Sequence, residues 1–190
     1  MELTHPPAEL SDEDRDAAAR VDSLVVGRGY IGRQRAGEVA AAVPEARARI
    51  LDWLRASAGT GDWRRFERLA CVALHLHPEG LGSILAGALE PGVRGVDAEE
   101  LVDLLGELRA PEGVEPIRAI LFERRTSDGP LYALCLKAVQ ALGEIGTPEA
   151  LECLGAIATA IPEEWPAVLR RYSAEELGLG RDVRVQPEEG

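Results

Sequence analysis

A Pro-Glu dipeptide recurs four times in this chain, at Pro44-Glu45, Pro78-Glu79, Pro111-Glu112 and Pro148-Glu149, with spacings of 34, 33 and 37 residues. A period of roughly 20 to 50 residues is the mark of a stacked repeat, so this recurrence limits the fold more than any other feature. Each pair is followed by a small residue two positions after the proline (Ala46, Gly80, Gly113, Ala150) and an aliphatic one six after it (Ile50, Ile84, Ile117, Leu154). Proline suits a first helical turn because its missing N–H has no partner there, and a neighbouring glutamate favours the positive end of the helix dipole. Helices are therefore predicted to begin near residues 44, 78, 111 and 148.

Second helices lie between them, read from apolar residues at i, i+3, i+4 and i+7. The stripes are Leu69, Val72, Ala73, Leu76, then Leu101, Leu104, Leu105, Leu108, then Ala138, Ala141, Leu142, Ile145. They superimpose position for position. The best internal match sets Leu105-Gly106-Glu107-Leu108 against Leu142-Gly143-Glu144-Ile145, each three residues ahead of a Pro-Glu pair, and it predicts equivalent buried places for Leu105 and Leu142. No useful length alternates with period two, so no strand is predicted. An α-α unit of about 35 residues, repeated, is a solenoid. With 46% hydrophobic residues the chain can bury a core, and no apolar run approaches the roughly 18 residues of a membrane span.

The ends should cover the array. Residues 1–10 read as a polar tail, and one or two capping helices are expected within 8–30, with Ser11 and Asp12-Glu13-Asp14 as the start signal. Pro162-Glu163-Glu164-Trp165 should open a last helix to about Tyr172, with Trp165, Val168 and Leu169 closing the apolar end. Residues 173–190 read as a second polar tail, which leaves a single all-α repeat domain over 11–172.

The stretch Ala138-Val139-Gln140-Ala141-Leu142-Gly143-Glu144-Ile145-Gly146-Thr147-Pro148-Glu149-Ala150-Leu151 resembles the helix–turn–helix junction of the HEAT-repeat family, in particular the short bacterial HEAT-like repeats of the phycobilisome-lyase type. The likeness is good over 97–160 and thins toward the amino end. Members of that family begin the second helix with Asp followed by Val-Arg; here Asp62, Asp97 and Asp128 lie near those starts at differing offsets, without Val-Arg. The resemblance implies about four helical hairpins and a binding scaffold whose ligand is not named by the fold.

Several motifs are candidates for chemistry. Gly27-Arg28-Gly29-Tyr30-Ile31-Gly32 is a literal G-x-G-x-x-G after Ser23-Leu24-Val25-Val26, but a dinucleotide fold needs a second parallel strand with an acid about 20 residues on. A helical run and the first Pro-Glu helix follow instead, so the motif reads as an inter-helix loop. Arg28, Arg33 and Arg35 make it a candidate for holding a phosphate or carboxylate, against the plainer reading of solvated arginines. His75 and His77 point apart on a helix, Cys71 and His75 share a face, and two ligands do not make a structural zinc site, so no metal or other cofactor is expected. Cys71, Cys135 and Cys153 are far apart in apolar segments and read as buried thiols in a reducing compartment. No G-x-S-x-G or phosphate-cradling P-loop occurs, and carboxylate pairs such as Glu99-Glu100 read as wet helix faces. No catalytic residue is assigned.

The face beside the superimposed core stripe is more informative. It carries Arg68, Cys71, His75 on one helix, Glu100, Asp103, Glu107 on the next and Lys137, Gln140, Glu144 on the third, each set at i, i+3, i+7. In HEAT-like arrays the second helices line the concave surface, so the resemblance implies that these nine residues form its floor. A merely solvated helical face is the competing reading. Charge supports a basic protein as partner: the net charge is −12, with residues 69–160 at −8 and residues 28–68 at +4. A nucleic-acid binder would show the opposite balance. The amino end, Met1-Glu2-Leu3-Thr4-His5-Pro6-Pro7, has neither a basic nor an apolar leader region, so a cytoplasmic protein is expected. Twenty Arg against one Lys fits a GC-rich bacterial genome.

The expected function is a non-catalytic scaffold or adaptor binding another protein through the concave face, with no membrane partner. Alternatives are an inhibitor or immunity-type protein masking a basic enzyme, and, from the family likeness, a bilin lyase or DNA glycosylase. A homodimer through an uncovered repeat end is open as well.

Overall fold

The apolar stripes read above lie on helices and are buried except at Leu76 and Leu108, which are half-buried. The computed structural model describes residues 10–27, 29 and 31–179; the tail expected over residues 1–10 lies outside these except for Leu10. Among the described residues there are ten α-helices and no strand: α1 Asp12–Val25, α2 Arg33–Ala42, α3 Ala46–Thr60, α4 Trp63–Leu76, α5 Leu81–Ala88, α6 Ala98–Leu108, α7 Val114–Arg124, α8 Ala133–Ile145, α9 Pro148–Ala158 and α10 Ala167–Glu176. A 3-10 turn, Pro111–Gly113, leads into α7.

Side-chain oxygens start the helices by taking N–H groups that have no partner within the first turn. Ser11 Oγ accepts from the Asp14 N–H at 3.1 Å and opens α1, followed by the three acids of its first turn. Asp62 does the same for α4 from the Arg65 N–H at 3.2 Å, and Asp97 for α6 from Glu99 and Glu100 at 3.0 and 3.2 Å. Asp128 reaches across a longer loop to the Cys135 N–H of α8 at 2.8 Å. The three aspartates with unequal offsets in the sequence thus serve one purpose.

The Pro-Glu pairs differ in detail from the expectation. Only Pro148 is a first helical residue, because Thr147 before it caps the Ala150 N–H at 3.3 Å. At Pro111 the pair forms the 3-10 turn, and at Pro44 and Pro78 it lies ahead of helices that begin at Ala46 and Leu81. Val43 and His77, which precede those two prolines, offer no side-chain oxygen for a cap. The second helices close alike, each on a left-handed residue: His77 (φ 50°) after α4, Arg109 (φ 53°) after α6 and Gly146 (φ 65°) after α8.

Contacts gather the chain into two compact units, with the boundary between Leu104 and Leu105 inside α6. In the first unit α3 packs on α4 and α5, α1 on α3 and α4, and α2 on α4. Its core holds Ile50, Trp53, Leu54, Phe66, Leu69, Leu85 and Leu101, all fully buried. In the second unit α8 packs on α7, α9 and α10, and α9 on α10. Leu105 and Leu142 are both 0% exposed, as their alignment requires, and Ile117, Leu121, Leu154 and Leu169 complete that core. Each such side chain contributes about 1.5–3 kcal/mol through burial.

The carboxyl-terminal boundary shifts. Helix α10 continues to Glu176 and Ser173 is fully buried, so the polar tail does not begin at residue 173; residues 180–190 lie outside the described part. Trp165 is buried ahead of this helix, which begins at Ala167 and not at Pro162 as expected.

Candidate functional site

The nine residues aligned along the second helices have unequal fates. Those of α4 are engaged inside the first unit. The Arg68 guanidinium grips Asp22 of α1, with Nη2 donating to Oδ2 at 3.1 Å, and Arg65 approaches the same carboxylate at 3.7 Å. His75 Nε2 lies 2.6 Å from the carbonyl oxygen of Ile31, just ahead of α2; a carbonyl only accepts, so this ring nitrogen carries the proton. Cys71 Sγ donates to Glu100 Oε1 of α6 at 3.2 Å. Burial first, and then the Glu100 hydrogen bond, push this thiol up to about 12, so it is no nucleophile at neutral pH. The α4 set therefore holds α1, α2 and α6 around α4 and offers no open floor. α1 and α2 pack directly on this helix, which its own residues do not disclose.

Helix α6 is different. Leu101 and Leu105 are fully buried and Leu104 nearly so, while Asp103 and Glu107 are exposed. Glu100 is half-buried under its Cys71 contact, so the acidic surface of this helix is carried by Asp103 and Glu107. In the second unit, Gln140 and Glu144 of α8 are exposed and joined, Nε2 donating to Oε1 at 2.9 Å, and Lys137 is half-exposed. Of the nine, Arg68, Cys71, His75, Glu100 and Asp103 belong to the first unit and Glu107, Lys137, Gln140 and Glu144 to the second.

The arginine loop is not assembled as a triad among the described residues. Arg28 lies outside them. Arg35 is committed, with Nη1 donating to Glu38 and Nη2 to the Leu24 carbonyl oxygen, both at 2.8 Å. Arg33 is the first residue of α2 and exposed. The G-x-G-x-x-G segment leads from α1 into α2 and then α3, the inter-helix connection that the sequence predicts. His77 sits at the left-handed end of α4, away from the face that carries His75.

Sequence reasoning gave no role to Arg125. In the second unit it lies 5.5 Å from the ring centres of both Phe122 and Trp165, and those rings meet edge to face at 5.2 Å. Arg-Arg-Thr-Ser at residues 124–127 carries no sequence signal for such a clamp, since the Trp lies 40 residues on. No family model matches the chain, and no curated protein and no solved structure matches it.

Proposed function

We propose that this chain is a HEAT-like helical-repeat protein, its hairpins stacked in one right-handed solenoid, that acts in the cytoplasm as a non-catalytic scaffold for a basic protein partner. The support is the recurrence of one unit: equal stripes, equal left-handed closures after α4, α6 and α8, and a glycine at the same place in α6 and α8. The observation that carries the binding reading is on α6, where exposed Asp103 and Glu107 stand beside leucines that are wholly buried. Two carboxylates kept at the surface by a helix fixed in a core are a rigid source of negative potential, which steers a basic partner and sets salt dependence.

The experiment is retention of partners from host lysate by the wild-type chain and by Asp103→Asn/Glu107→Gln, at low and high salt. A basic protein held by the wild type, and lost from the variant at unchanged melting temperature, supports the scaffold. Equal retention by both, with one salt slope, removes α6 as the binding surface.

A further inference from the structure

Among the described residues, six of the seven large apolar side chains that remain exposed lie between residues 122 and 179, and two of them belong to residues that contact Trp165. Phe122, near the end of α7, is 49% exposed, and Ile161, in the turn ahead of α10, is 55% exposed. The turn from Ile161 to Trp165 closes on itself, with the Glu164 N–H and the Trp165 N–H both donating to the Ile161 carbonyl oxygen. Trp165 is 4% exposed and buries its ring against Phe122. Arg125 fixes the two segments to one another: its Nε donates to the Glu164 carbonyl oxygen at 3.2 Å, its Nη1 donates to the Phe122 carbonyl oxygen, and its guanidinium lies over both rings. This cluster therefore presents apolar surface on a backbone that is already held, so little ordering entropy opposes binding.

The turn beside it exposes two carboxylates. Glu163 and Glu164, in the same turn, are exposed and have no ion-pair partner among the described residues. Glu123 beside Phe122 is 4.0 Å from Arg124, at the outer limit of an ion pair. Arg125 is held against the rings and the carbonyl oxygens, and the part-buried Arg170 donates to the Ala160 carbonyl oxygen at 3.3 Å, so neither cation is paired with Glu163 or Glu164. An apolar centre with unpaired carboxylates at its edge complements a segment with the reverse pattern.

We propose that the Phe122–Ile161–Trp165 cluster, edged by Glu163 and Glu164, is a docking site for a basic amphipathic segment of a partner protein, one apolar side chain seating between Phe122 and Ile161 while flanking Lys or Arg meet the glutamates. None of these residues belongs to α6, and the site does not rest on its carboxylates.

The test uses the full chain and a fluorescein-labelled helical peptide of leucines on one face and lysines on the other. Its two controls have the leucines replaced by serine, or the lysines by glutamate. Anisotropy gives affinity, and backbone and indole N–H shifts give location. The expected result is binding of the first peptide with shifts centred on Phe122, Ile161 and the Trp165 indole, and affinity about ten-fold weaker for each control. Ile161→Ser should weaken it by a similar factor, and Glu163→Gln/Glu164→Gln should weaken it about three-fold and flatten its salt dependence. Both variants alter exposed side chains, and an unchanged melting temperature confirms the fold. Absence of binding, equal binding of either control, or unchanged affinity in both variants overturns the site. Shifts centred on Asp103 and Glu107 overturn it too, while leaving the α6 reading in place.

Discussion

A side chain on Gly106 would begin 2.9 Å from the Cα of Ala141 and 2.6 Å from Glu144 Oε2, so α8 crosses α6 at a point where only hydrogen fits. The equivalent glycine of the next second helix, Gly143, is covered by the Glu176 side chain of α10. The two glycines of the repeated Leu-Gly-Glu unit therefore each receive a later helix, but one meets backbone and the other a flexible carboxylate.

That difference predicts unequal outcomes for the same substitution. Gly106→Ala forces α8 away, and overpacking of roughly 1–3 kcal/mol outweighs a helix-propensity gain of about 1 kcal/mol. At Gly143 the Glu176 carboxylate can swing aside and its Cβ, 3.3 Å away, must give by a few tenths of an ångström, so the propensity gain of about 1 kcal/mol should leave Gly143→Ala close to neutral. Urea unfolding of both variants checks this; equal losses would mean that α10 is as rigidly seated over Gly143 as α8 is over Gly106.

The left-handed closures give a second prediction. His77 and Arg109 hold φ of 50° and 53°, where a Cβ costs about 1–2 kcal/mol and glycine does not suffer that clash. After the greater chain entropy of glycine in the unfolded state, His77→Gly and Arg109→Gly should each stabilise by about 0.5–1 kcal/mol. Gly146→Ala, at φ 65°, should destabilise by about 1–2 kcal/mol. Denaturant midpoints decide; destabilisation by either glycine would reveal a side-chain contact that favours the native residue.

The parts legible in the sequence are those set within one or two turns. The stripe of Leu101, Leu104 and Leu105, the start at Ser11, and the helix start at Pro148 each follow from neighbours in the chain. What was not legible depends on distant residues. Arg68 meets Asp22 across 46 positions and His75 meets Ile31 across 44, so the face of α4 looked as open as that of α6. Gly106 looked like a cost inside a helix until Ala141, 35 residues on, supplied the reason.

The cysteines carry a prediction with a pH sign. Cys71 and Cys135 are pushed up to about 12, chiefly by burial, then by Glu100 and Asp128 respectively, and Cys153 is raised by burial as well. Their ordinary value is near 9. The unfolded chain therefore loses these protons first as pH rises. The stability they confer is complete below pH 9 and declines toward pH 12. At pH 8 a disulfide reagent should label none of the three thiols in the native protein and all three in denaturant. Prompt native labelling of one thiol would show that its helix opens without global unfolding.

Two carboxylates should respond to acid in opposite directions. Asp14 accepts from Arg49 Nη2 at 2.9 Å, from Ser11, and from the Trp53 indole at 3.1 Å, and these hydrogen bonds, Arg49 first, hold it well below the usual carboxylate range. Its stabilisation is present above the ordinary value and fades as pH falls toward the lower folded one. Glu176 is raised, by burial first and then by Glu144 and Glu175, so its contribution is present in acid and lost as pH rises through the folded value. Asp14→Asn should accordingly lower the melting temperature at pH 7, with the gap to wild type closing in strong acid. Glu176→Gln should raise it at pH 7, because a neutral amide over Gly143 no longer repels Glu144, and should leave it unchanged near pH 4, where Glu176 is already protonated. Melting curves of the wild type and both variants across that range test the pair. A Glu176→Gln variant that melts below wild type at pH 7 would mean that the carboxylate makes a favourable contact outweighing its repulsion by Glu144.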